Sequence, residues 1–169
     1  GMRLMRADRL KAGGGSKSSA NGTAERRALT LSNQGEWIAR NLTLRGDTLN
    51  NSGAVTGVGA LTVGLNGALT QQQDKTLLSA GRLTLQSSSL SNAGRVQGGD
   101  LQITSGAADN NWRLQGDNSL LIYAAVRITN GGNRAVFTLN PLTLTSPSLF
   151  HYVLIPCPCH GFPPITALL

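Results

Sequence analysis

The sequence predicts an all-β fold, a β-solenoid of about five coils with a repeat of roughly 20 residues. Three observations predict it. Leucine returns at one phase of a cycle, at Leu42, Leu61, Leu83, Leu101, Leu120 and Leu142, with steps of 18 to 22 residues. Asparagine returns at another phase, at Asn33, Asn51, Asn92, Asn110 and Asn130, with Gln71 standing in once. Aromatic residues make up only 4% of the chain and charged residues 14%, while 21 of its 169 residues are glycine. A compact globule needs large aromatic anchors. A stack of thin layers filled by Leu, Val and Ile does not.

Residues 1–28 read as a basic, flexible arm. They are rich in Gly, Ser, Ala and Asn and show no apolar period. Gly13-Gly14-Gly15-Ser16-Lys17-Ser18 approaches the phosphate-binding loop pattern. Ser16 stands where that pattern has glycine, and no strand is expected before it, so a solvated linker is the better reading. Arg3, Arg6, Arg9 and Lys11 suit the start of an export signal, but no apolar run follows them. An export signal, if one is used, is expected outside these residues.

The repeats are expected over 29–149, clear to about residue 134 and degenerate beyond it. Each coil opens on an apolar–x–apolar triplet such as Leu42-Thr43-Leu44, Leu61-Thr62-Val63 or Leu83-Thr84-Leu85. Side chains alternate across a strand, so both outer members of the triplet face inward. A second apolar position follows at Leu49, Leu90 and Leu149, and a third at Val55, Val96 and Leu114. A leucine-rich repeat has a similar period but needs a turn-rich or helical outer side and a stricter leucine frame. The outer residues here are Thr, Ser, Gln and Asn, which favour strands and turns.

The corners repeat as well. Asn tolerates left-handed backbone and bonds neighbouring amides. Stacked one layer apart, such side chains are expected to bond each other, as amide ladders do. Glycine two residues later, at Gly35, Gly53, Gly94 and Gly132, suits a sharp corner. Trp37 and Trp112 lie beside these turns and are expected to cover corners or to form exposed contact points.

Composition changes after Arg134. No Lys, Arg, Asp or Glu follows it, and all six prolines, both cysteines, both histidines and all three phenylalanines lie in 135–169. Residues 150–169 read as an apolar, proline-rich tail: a cap over the open end, or a segment with little structure.

The net charge of +7 raises the question of an anionic partner. Its distribution answers against nucleic acid: residues 1–28 carry +5 and residues 29–169 only +2. No apolar run is long enough to span a bilayer. Cys157-Pro158-Cys159-His160 is the one cluster of metal-ligand types, but its cysteines are separated by a single residue, so no metal site and no cofactor is expected. Asp47, Asp74, Asp100, Asp109 and Asp117 are scattered rather than paired, so no catalytic residue is assigned and the chain is expected not to be an enzyme. Arg95 and Arg113 stand 18 residues apart, each just before a third-position apolar residue, and are candidates for a weak polyanion-binding stripe, for example for an anionic glycan. The plainer reading is solvated charge that discourages aggregation.

The pattern L-T-L-x4-L-x-N-x-G-x-V-x-G, in Leu83–Gly98 and Leu42–Gly57, resembles the repeats of filamentous haemagglutinins and of contact-dependent growth inhibition stalk proteins. The resemblance covers about residues 29–134. It implies a right-handed parallel β-helix, a handedness that agrees with the usual crossover preference. It also implies two-partner secretion through an outer-membrane transporter, a place at the bacterial cell surface, and a receptor on a host or neighbouring cell. The function expected is a structural repeat segment, a rigid spacer in a filamentous adhesin or toxin-delivery stalk. An anionic-glycan-binding β-helix module is the alternative, and a carbohydrate-active β-helix enzyme a third reading.

Overall fold

The structure is a computed structural model and describes residues 2–12, 17–131, 142–151 and 165–168. Its elements are β1 (Met2–Ala12), β2 (Lys17–Asn33), β3 (Glu36–Asn51), β4 (Ala54–Leu65), β5 (Ala68–Gln71), β6 (Thr76–Ser79), β7 (Arg82–Asn92), β8 (Arg95–Asn110), β9 (Arg113–Asn130), β10 (Leu142–Thr145), β11 (Leu149–His151) and β12 (Ile165–Leu168). Every pairing among them is parallel. The result is a β-solenoid of about six turns. That is one more than the leucine spacing suggests, because stacking begins before Leu29.

The register explains the stack. One ladder runs Ala24, Leu42, Leu61, Leu83, Leu101, Leu120, Leu142, each residue pairing with the next coil's member. A second runs Leu31, Leu49, Leu69, Leu90, Ala108, Ile128. A third runs Trp37, Val55, Leu77, Val96, Leu114. All these side chains are buried and together form one core. A single coil cannot cover its own apolar residues, so each layer depends on its neighbours. Burying one such leucine is favourable by about 1.5–3 kcal/mol.

Residues 1–28 depart from the expectation of a flexible basic arm. Strand β1 and most of β2 fall within them, and Met2–Ala12 pairs with Thr23–Asn33. Ala24, Arg26 and Ala28 alternate with exposed or half-exposed neighbours, and all three are buried. Alanine fills an inward position with too little apolar surface to register as a period. Buried Arg26 lays its guanidinium 5.0 Å from the centroid of the Trp37 ring, a cation–π contact between β2 and β3. Trp37 is itself inside the core, with 2% of its surface exposed, and not an outer contact point. Trp112 is half-buried beside its turn.

The asparagines share one register position, as their spacing predicts: Asn33, Asn51, Gln71, Asn92, Asn110, Asn130. All are buried. Asn33 Nδ2 donates to Asn51 Oδ1 at 3.1 Å, Asn51 Nδ2 to Gln71 Oε1 at 2.6 Å, Asn92 Nδ2 to Asn110 Oδ1 at 2.9 Å, and Asn110 Nδ2 to Asn130 Oδ1 at 2.8 Å. Each amide also serves its own corner: Gly35, Gly53 and Gly94 donate their backbone N–H to the Asn two residues earlier. Gln71 Nε2 instead reaches the carbonyls of Lys75 and Arg95. There the turn is longer: five positions separate Gln71 from Thr76, whereas three separate their partners Asn92 and Arg95. Asp74, in that turn, has φ of 64°, a left-handed conformation that Asp tolerates.

A second corner follows the third ladder. Ala39, Gly57, Ser79, Gly98 and Gly116 occupy it, and all are buried. A Cβ at Gly57 would collide with the Ala60 carbonyl, and one at Gly116 with the Ser119 carbonyl. At these two positions glycine is set by close approach of backbone to backbone.

Candidate functional site

Strands β6, β8 and β9 carry the candidate arginines. Thr76, Arg95 and Arg113 are register partners on three successive coils. Their strands are held by the buried Val96 and Leu114, so both arginines project from the outer face. Arg95 is exposed and Arg113 half-buried. Parallel strands set them about 4.8 Å apart along the stack. The backbone N–H of Arg95 donates to the Lys75 carbonyl at 2.8 Å, which brings the longer turn at Gln72–Lys75 beside them.

Several charges meet local partners. Arg127 Nη2 meets Asp109 Oδ2 at 3.1 Å. This hydrogen bond, and then the Coulomb attraction of the same carboxylate, hold the Arg127 proton more firmly than usual. Asp117 accepts from Gln97 and Gln115, and Asp100 from Ser119. Asp47 accepts from Asn66 at 3.1 Å. Among the described residues no group of three or more His, Cys, Asp or Glu could hold a metal ion. Cys157, Cys159, His160 and residues 13–16 lie outside the described residues. Among the described residues no helix is long and apolar enough to cross a membrane.

A second cationic pair has no local sequence signal. Arg27 and Arg45 are register partners, and both turn their Nε toward Glu25 Oε1, at 2.7 and 3.4 Å. Eighteen residues separate them, so only the register of β2 on β3 brings them together.

Fold and surface define a class: a parallel β-solenoid repeat protein with an internal amide ladder and a polar outer face. Comparison with known proteins places it further, for the chain is homologous to a segment of the CdiA proteins of contact-dependent growth inhibition. It is 54% identical over 84 residues to the 16S rRNA endonuclease CdiA of Enterobacter cloacae subsp. cloacae, a match covering 50% of this chain and 2% of that protein. It is 36% identical over 135 residues to a tRNA nuclease CdiA of Escherichia coli, covering 80% of this chain and 4% of that protein. It is 34% identical over 118 residues to the deoxyribonuclease CdiA of Dickeya dadantii, covering 69% of this chain and 4% of that protein. No family model matches the chain, and no solved structure matches it.

These relatives correct one expectation. The scattered carboxylates predict that the protein is not an enzyme, yet its relatives carry the names of nucleases. The spacing of acids in one segment says nothing about the chemistry of a protein many times longer. The chain spans only a few per cent of each relative's length, and the nuclease names describe those whole proteins.

Proposed function

We propose that this chain is a stalk segment of a CdiA-type protein, a rigid spacer at the bacterial cell surface. The observation that carries the proposal is the unbroken register of the Ala24-to-Leu142 ladder through β2, β3, β4, β7, β8, β9 and β10. Parallel coils that keep this column aligned add a fixed length per turn and resist bending, because each inner layer is bonded to two others. The longer protein would reach the surface through a two-partner-secretion outer-membrane transporter. It would meet a receptor on a neighbouring cell, with a nuclease of the kind its relatives' names state as its toxic part.

The test is a phase experiment in the full-length protein. Removing residues 83–100 deletes one whole turn and leaves Leu101 to stack on Leu61. Removing residues 83–91 shifts the phase by half a turn. A spacer keeps growth inhibition after the first deletion and loses it after the second. Equal loss in both would contradict the reading.

A second reading is favoured by the pairing of Arg95 with Arg113. Two guanidiniums one layer apart offer a weak contact for an anionic glycan. Arg95→Ala with Arg113→Ala would then lower the salt needed to elute the chain from heparin. An unchanged elution position would rule this contact out.

A further inference from the structure

A groove of about 690 Å³ crosses four successive coils on the outer surface, lined among others by Arg27, Arg45, Asp47, Gly64, Asn66 and Gln86. Arg27, Arg45, Gly64 and Gln86 hold the same register position in those coils. Glycine at the third of them removes one side chain from the column and leaves a notch. The Arg45 guanidinium lies over it: a Cβ on Gly64 would stand 3.1 Å from Arg45 Nη1.

We infer that this groove is a binding site for a saccharide bearing a single carboxylate, an assignment independent of the stalk reading. Glu25 engages the Nε of each arginine, and both arginine side chains are about half exposed, 47% and 50%. Two adjacent guanidiniums are strong donors to one carboxylate. The groove is also lined by the Asp47 carboxylate, which accepts from sugar hydroxyls, and by the Asn66 and Gln86 carboxamides, which can both donate to and accept from them. Glu25 and Asp47 cancel the two arginines, so a polyanion gains little here. The size falls within the roughly 300–1,000 Å³ of small-molecule sites. An extended peptide is the poorer fit, because β2, β3, β4 and β7 beneath the groove are paired to each other and offer no strand edge for it to join.

The test titrates the whole chain, by calorimetry, with a disaccharide containing one hexuronate and with its carboxyl-reduced counterpart. The acidic sugar should bind at least ten-fold more tightly. Gly64→Gln fills the notch and should weaken it at least ten-fold, as should Arg45→Gln, while Arg127→Gln, outside the groove, leaves it unchanged. Gly64→Gln meets only the flexible tip of Arg45, and circular dichroism checks that it folds; Gln86→Ala, expected to weaken binding several-fold, is the second probe. The proposal is overturned by absence of binding at millimolar sugar, by equal affinity for the two sugars, by indifference to Gly64→Gln and Arg45→Gln, or by tighter binding of a tripeptide with a free terminal carboxylate.

Discussion

Asn92 Nδ2 donates to Asn110 Oδ1 at 2.9 Å, joining two buried side chains 18 residues apart in sequence and one layer apart in space. The same nitrogen is within bonding distance of the Gly94 and Arg113 carbonyls, at 2.9 and 3.0 Å, and Asn92 Oδ1 accepts from the Gly94 N–H. Asn92 thus ties its own corner to the next coil. Asn92→Ala leaves several of these groups buried without a partner, each costing about 1–3 kcal/mol. A total loss of about 3–5 kcal/mol is expected, read as a lower denaturant midpoint.

Leu101 sits in the middle of the first ladder and is fully buried. Leu101→Ala opens a cavity between two layers and should cost about 3–5 kcal/mol. Leu121 occupies the outward position on the next coil and is 40% exposed. Leu121→Thr, which restores the polar type seen at Thr43, Thr62 and Thr84, should change stability by less than about 0.5 kcal/mol. Equal effects at the two positions, measured by urea unfolding, would mean the inward and outward faces are misassigned.

Ser79 stands among glycines and an alanine at the second corner, and its buried hydroxyl has no hydrogen-bond partner. Ser79→Ala keeps a side chain that Ala39 shows the corner can hold. It should stabilise the chain by about 1 kcal/mol, by removing a polar group from a dry site. A lower thermal midpoint for this variant would contradict that account.

The Arg127–Asp109 pair should contribute nothing that varies near neutral pH. The Arg127 pKa is raised in the folded state. Whatever stability it adds is fully present below the unfolded guanidinium pKa and is lost only as strong alkali titrates the folded one. Both side chains are well exposed, 45% and 37%, so solvent screens the pair. Arg127→Gln should leave the unfolding midpoint unchanged between pH 5 and 8. A pH-dependent shift in that range would show a coupling absent from the structure.

Much of the stack is legible in the sequence because its period is carried by residues with strong physical preferences. Leu42, Leu61, Leu83, Leu101, Leu120 and Leu142 mark one inward ladder, and the asparagines mark the corner that needs a buried amide. What escaped is carried by residues that signal weakly. Ala24 and Ala28 fill inward positions without an apolar signature, so the coil before Leu29 shows no period in the sequence. Trp37 belongs to a ladder of Val and Leu, and nothing local separates a core Trp from an exposed one. The groove of Arg27, Arg45 and Gly64 exists only through register, since its members are neighbours in space and strangers in sequence.

The central claim is that the chain is a rigid stack with one fixed rise per turn. Spin labels at Thr43 and Thr143, on outward positions of the same column five turns apart, test it most directly. Electron–electron dipolar spectroscopy should give a narrow distance distribution centred near 24 Å, from about 4.8 Å per layer. A broad distribution, or one centred well beyond 40 Å, would contradict the stacked solenoid and with it the spacer.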